Sequence, residues 1–211
     1  SKKGVFKVIL KNKDIRLFFT SYFLSAFAAS IPATLIIFYV RDYLMAEIFL
    51  GYFLVLYFAS GALSMPLWKF LSNNYTCTQA WLFSMILAVV SFIWAYFIQP
   101  QDIVEFFIIC LFSGMAVGAN LALPSSIIAQ YIYKYKHEEY AASYYSISNF
   151  LSKFSLAIAA GTALPILGFM NYQPGMQRAD NLFPITYAVI PCIIQVTAII
   201  LAFRLIKLKK M

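Results

Sequence analysis

Few residues in this chain carry chemical capability. Ser146, Asn149 and Lys153 are spaced three and four apart in a long apolar run, and residues at those spacings share one face of a helix. Ala157 and Ala160 continue that face with small side chains. A hydroxyl, an amide and an ammonium in one row supply charge and hydrogen-bond donors to a polar group; they are not an acid–base pair. A lysine near the middle of a membrane helix costs about 2.5–3.5 kcal/mol on insertion scales. Lys153, twelve residues beyond Ala141, therefore needs a wet cavity, a partner or the bundle interior. All eight acids, Asp14, Asp42, Glu47, Asp102, Glu105, Glu138, Glu139 and Asp180, fall at run ends or in loops. A deep partner carboxylate must then come from elsewhere, as a packing pair or as part of a site.

Weaker candidates stand on other runs. Asn120 is a buried-type amide suited to hydrogen-bonding a solute, and otherwise needs a protein partner. Ser21, Ser25, Ala28 and Pro32 form a small stripe with Tyr22 beside it, suited to close helix packing or to lining a path. Gly114-x-x-x-Gly118 reads as a helix contact motif, and Gln195 and Thr197 as interhelical hydrogen-bonding groups. Tyr131, Tyr133, Tyr135, Tyr140, Tyr144 and Tyr145 read as an interfacial aromatic belt, with Tyr144 and Tyr145 within reach of a cavity. His137, beside Glu138 and Glu139, reads as a solvated loop residue. Cys77, Cys110 and Cys192 have neither disulfide nor metal-ligand spacing. With one histidine and no deep carboxylate, no nucleophile system, metal site or cofactor site is expected.

The elements that position these residues follow from composition. Of 211 residues, 63% are hydrophobic and only 11% charged, with a mean hydropathy of +0.79. A soluble domain has about 25% charged residues, so an integral membrane protein is the remaining class. A spanning helix needs about 20 apolar residues, and runs of that kind fall at 17–40, 48–68, 80–98, 103–133, 141–169 and 183–206. They lack the period-2 alternation of a barrel. The expected fold is all-α: six transmembrane helices, preceded by a basic linker at 1–16 and followed by a tail at 207–211. Ser72-Asn73-Asn74, Gln99–Asp102, Lys134–Glu139 and Asn171–Asn181 read as connections. Gln99-Pro100-Gln101-Asp102 is expected to break the third run and cap the fourth. The fourth and fifth runs exceed the bilayer and are expected to tilt or project.

Charge placement sets the expected direction. With both termini cytoplasmic, Lys2, Lys3, Lys7, Lys11, Lys13, Arg16, Lys69, Lys134, Lys136, Arg204, Lys207, Lys209 and Lys210 lie inside, against Arg41 and Arg178 outside. Positive residues stay inside, so the net charge of +8 is a topology signal with anionic-lipid contact, and nucleic acid is excluded as a partner. The expected location is the cell (inner) membrane. The chain opens Ser1-Lys2-Lys3-Gly4, read as a fragment starting inside a longer protein.

The six runs make two sets of three with opposite topology. Their first helices compare as Pro32-Ala33-Thr34-Leu35-Ile36-Ile37-Phe38-Tyr39 and Pro124-Ser125-Ser126-Ile127-Ile128-Ala129-Gln130-Tyr131. Inverted three-helix repeats build each half of a major facilitator transporter. Asn12-Lys13-Asp14-Ile15-Arg16-Leu17 with Phe38-Tyr39-Val40 resembles the seventh helix of the glycoside–pentoside–hexuronide:cation symporters, the melibiose-permease-like branch of that superfamily. Ser113–Asn120 followed by Leu123-Pro124 resembles the tenth, and Ser143–Lys153 the eleventh. The resemblance covers nearly the whole chain. It implies the C-terminal six helices of twelve, whose partner is the N-terminal half.

The resemblance also implies cation-coupled symport of a small polar solute such as a sugar. Na⁺ or H⁺ would be held mainly by carboxylates of the other half, which Lys153 approaches. On this reading Lys153, Asn149, Ser146, Asn120, Tyr22 and Ser25 bind substrate. The family's acidic segment after its tenth helix is replaced by Ala129-Gln130-Tyr131-Ile132-Tyr133-Lys134-Tyr135-Lys136, and its basic turn after the eighth is reduced to Lys69. These departures favour a diverged member. A lipid or amphiphile carrier of the same fold, and a non-transporting scaffold or sensor, stand as alternatives.

Overall fold

The computed structural model describes residues 9, 11–169 and 182–210. Lys2, Lys3 and Lys7 of the linker and the loop with Pro174-Gly175, Arg178 and Asp180 lie outside the described residues. The described chain is all-α: α1 (Lys13–Phe38), α2a (Leu50–Leu63), α2b (Met65–Asn74), α3 (Cys77–Ile93), α4 (Ile103–Tyr135), α5 (Ala141–Phe169) and α6 (Ile190–Lys210). Five helical segments are long and apolar enough to cross a membrane among the described residues. The 33 residues of α4 reach about 50 Å at 1.5 Å per residue, well beyond the hydrocarbon core.

Local chemistry moves several expected boundaries. The second run is broken at Ser64, because Pro66 stands in the first turn of α2b and cannot donate a backbone hydrogen bond. Ser72-Asn73-Asn74 is not the expected turn. These residues finish α2b, and α3 starts just beyond at Cys77, fixed by a capping box between Thr76 and Gln79. Asp102 occupies the N-cap position of α4 without capping it; its carboxylate turns back to accept from the Gln99 N–H at 2.7 Å. The bend after α4 is made by Lys136 in the left-handed region, at φ 53°. Five-residue π-helical turns, Tyr39–Tyr43 and Ile185–Val189, join α1 and α6 at one end of the bundle.

The packing exposes the internal repeat. Helix α1 lies against α5 and α6, α4 lies against α2a and α3, and α3 meets α6. Exchanging the first three helices with the last three maps α1–α5 onto α4–α2a and α1–α6 onto α4–α3, and α3–α6 onto itself. The hydrogen bonds follow the same exchange. Ser155 Oγ donates to the Phe23 carbonyl at 3.3 Å, and Ser64 Oγ donates to the Met115 carbonyl at 3.2 Å. The offset from Phe23 to Met115 is 92 residues, the same that separates Pro32 from Pro124, Tyr39 from Tyr131 and Tyr43 from Tyr135.

Each end of the bundle has its own core. At one end Ile15, Phe18, Trp81, Tyr131, Tyr144 and Leu205 pack together. At the other, Leu35, Tyr39, Phe53, Phe106 and Tyr187 do so, with the Tyr39 and Tyr187 rings stacked 3.9 Å apart. Tyr131 and Tyr144 thus leave the expected aromatic belt and are fully buried, whereas Tyr133 is 83% exposed. His137 lies in the loop as expected, but it is half-buried there rather than freely solvated. Its Nδ1 lies 2.8 Å from the Tyr144 hydroxyl, and Tyr135 and Tyr140 rings flank it.

Candidate functional site

Helix α5 is held chiefly by α1, which leaves its opposite side uncovered. Ser146, Asn149 and Lys153 all stand exposed on that side. Ser146 Oγ donates to the Ala142 carbonyl of its own helix at 2.7 Å, as small hydroxyls commonly do. Among the described residues Lys153 is in neither ion pair; those join Arg41 to Asp42 and Lys134 to Asp14. Beside this row runs an aromatic one. Phe150 stacks on Phe154 at 5.4 Å, Phe154 on Phe23 of α1 at 6.1 Å, and Phe23 on Phe27 at 6.3 Å. An ammonium with an amide at its side and a continuous ring surface next to it suits a molecule with one polar and one apolar part.

A concavity lies within the bundle, away from this face. A partly open cavity of about 170 Å³ lies between α1, α2a, α3, α4, α6 and the Ile185–Val189 turn, with Pro32, Tyr57, Phe92, Cys110 and Tyr187 among its walls. Asn120 borders it, and its Oδ1 accepts a hydrogen bond from Trp81 Nε1 at 2.8 Å. Gln195 borders it as well; its Nε2 donates to Ser25 Oγ at 3.1 Å.

The structure therefore separates the expected site residues into three places. Lys153, Asn149 and Ser146 share the exposed face of α5. Asn120 reaches the cavity wall, turned to Trp81. Ser25 is buried against α6 beside Gln195, and Ser21 Oγ donates to the Ala198 carbonyl of α6 at 2.8 Å, so this stripe packs helices. Tyr22 is half-buried, stacked on Phe18 at 6.1 Å. Lys153 does not line the cavity. The Gly114-x-x-x-Gly118 motif makes the expected helix contact. A Cβ added at Gly114 would overlap the Tyr57 carbonyl and Ser60 Oγ, and one at Gly118 the Gly61 carbonyl. Trp68 Nε1 seals the same seam by donating to the Met115 carbonyl at 2.8 Å. Sequence reading missed the phenylalanine row, although Phe150 and Phe154 sit four apart and adjacent to Asn149 and Lys153. The Trp81–Asn120 and Gln195–Ser25 pairs join distant segments and carry no local signal.

A bundle of long apolar helices with an internal three-helix repeat and polar groups on one uncovered face defines a multi-pass membrane protein of the transporter class. The family of MFS/sugar transport proteins matches residues 3–210, and the chain belongs to it. It is 25% identical over 154 residues to sodium-dependent lysophosphatidylcholine symporter 1 of Gallus gallus, covering 71% of this chain and 29% of that relative. No solved structure matches the chain significantly. The family match supports the superfamily; it does not single out the melibiose-permease-like branch.

Proposed function

We propose that this chain forms the C-terminal six-helix half of a twelve-helix secondary transporter, which carries a solute by alternating access and couples it to Na⁺ or H⁺. The observation that carries this reading is Lys153, an ammonium in mid-helix, exposed beside Asn149 and Ser146 and without an ion-pair partner among the described residues. Such a charge is stable in a membrane only when a companion surface or a solute completes it. The N-terminal half supplies that surface and the coupling carboxylates, and two half-bundles rock about the site between them. Both ends of the chain face the cytoplasm of the inner membrane on this reading.

The substrate we favour is a single-chain amphiphile. The phenylalanine row along Lys153 offers it an apolar surface, and the matched relative is a lysophosphatidylcholine symporter. A sugar is the second reading, supported by Asn149 and Ser146 on the exposed face and by the family's description as sugar transport proteins. The test is uptake by the full-length protein in vesicles, with a labelled lysophospholipid and a labelled disaccharide, each under Na⁺ and proton gradients. Cation-dependent uptake of the lysophospholipid, lost in Lys153→Ala at normal membrane abundance, is the expected result. Unchanged uptake and coupling in Lys153→Ala would remove this lysine from the mechanism.

A further inference from the structure

The cavity inside the bundle is unused by the transport reading, because Lys153 and its row lie on another face. Its walls are mostly apolar, and three of the polar side chains around it are engaged with protein partners. Ser113 Oγ donates to the Ile109 carbonyl at 2.6 Å, Gln195 Nε2 to Ser25 Oγ at 3.1 Å, and Asn120 Oδ1 receives Trp81 Nε1. A group entering there meets mainly methyls and ring faces, with the Cys110 and Cys192 thiols and the Tyr57 and Tyr187 side chains among them. A sugar would give up its water without adequate replacement, a cost of several kcal/mol for each unpaired hydroxyl. Hydrocarbon loses nothing.

Size and access narrow the occupant. An apolar cavity of about 150 Å³ takes up a benzene and stays dry without it. By that measure the present 170 Å³ holds about seven carbons, the end of a chain rather than a whole lipid. Ala29 and Ala33, four residues apart on α1, are exposed where they border the cavity, as is Phe58 of α2a. Helices α1 and α2a make almost no contact with each other, since α1 packs on α5 and α6 and α2a on α4. The opening is therefore a slot between two helices, walled by alanine on one side. We infer that this cavity receives the terminal carbons of one hydrocarbon chain, which enters between α1 and α2a. The inference rests on the amphiphile reading for one source of that chain, the substrate's tail; the other source is an acyl chain of the bilayer.

The experiment uses the full-length protein in phosphatidylcholine vesicles and three photoreactive probes. These are a saturated lysophospholipid with a diazirine on its terminal carbon, the same lipid with the diazirine beside the headgroup, and a diacyl phospholipid with a terminal diazirine. Labelled residues are mapped by mass spectrometry. A terminal-carbon probe is expected to label Tyr57, Phe92, Cys110 and Tyr187 at least fivefold more than the headgroup-proximal probe does. Ala33→Phe should reduce that labelling at least tenfold, with Val104→Phe, on an exposed position, leaving it unchanged. If Ala33→Phe does not fold, Ala29→Leu narrows the slot with less added volume. Displacement of the label by excess lysophospholipid identifies the substrate's tail, and equal, undisplaced labelling by the diacyl probe identifies the bilayer; both support a hydrocarbon occupant.

Wall labelling no higher than at outward-facing Ile193 and Ile200, or undiminished in a folded Ala33→Phe, overturns the inference. Failure of the transport reading looks different. A protein that moves only the sugar while the diacyl probe labels the wall refutes the amphiphile substrate and leaves the cavity assignment standing. Lysophospholipid uptake with an unlabelled wall refutes the cavity assignment alone.

Discussion

At the scale of single residues, Asn120 distinguishes a structural role from a binding one. Trp81 is fully buried, and its indole N–H has the Asn120 Oδ1 as acceptor at 2.8 Å. Asn120→Ala strands that donor, at about 1–3 kcal/mol for a buried unsatisfied group, so the melting temperature in detergent should fall. Trp81→Phe removes the donor, and the double variant should lose less than the two single losses combined, the sign of direct coupling. A transport defect in Asn120→Ala with unchanged melting would instead give this amide to the solute. The sequence shows why both readings arise: an amide inside an apolar run must hydrogen-bond something, but nothing local names a tryptophan 39 positions earlier. Lys153 was more legible, because a lone charge in a long apolar run is visible without a fold. Its neighbours Phe150 and Phe154 were not, since phenylalanine in a membrane helix looks the same toward lipid, protein or substrate.

At the scale of elements, the seam between α2a and α4 is the most constrained contact. Gly114 and Gly118 meet backbone carbonyls of Tyr57 and Gly61, and a backbone atom cannot rotate away as a side chain tip does. Gly114→Val or Gly118→Val must separate the helices, and overpacking of this kind costs about 1–3 kcal/mol. Trp68 and Ser64 would also be drawn off the Met115 carbonyl. The expected result is a lower melting temperature in both variants, whereas Gly51→Ala, which has nothing within 4 Å of its added carbon, leaves melting unchanged or slightly raised. If Gly114→Val melts like the parent, the close approach does not hold the pair. The motif spacing announced a contact of this type, and hydropathy announced the helices themselves. The break at Ser64 was harder to see because the apolar run continues through Pro66, and proline in a first helical turn leaves composition unchanged. The end of α2b at Asn74 depends on where the Thr76–Gln79 box starts α3; three polar residues in a row look like a turn until that cap is recognised.

At the scale of the whole molecule, the repeat gives the bundle its logic. Paired serine-to-carbonyl bonds at equivalent positions on α1 and α4 mark the two three-helix sets as repeats, and an odd number of helices in each gives them opposite senses. Each end is closed by its own aromatic core, with the cavity between. The direction in which this unit sits is the remaining physical variable, and basic residues decide it. Lys134 stands in the last turn of α4 and Lys136 just after it, and Lys11, Lys13 and Arg16 flank the start of α1, so all five lie at one end. The other end has Arg41, already paired with Asp42 at 2.8 Å, together with Glu47, Asp102 and Glu105. Retention of positive charge on the cytoplasmic side then predicts that a cysteine placed at Glu47 in a cysteine-free full-length protein reacts with a membrane-impermeant maleimide in intact cells. A cysteine at Lys136 should react only after permeabilisation. Both positions are exposed, so a null result at one cannot be ascribed to burial. The reverse pattern would invert the bundle, putting the His137–Tyr144 contact outside and the stacked Tyr39–Tyr187 pair inside.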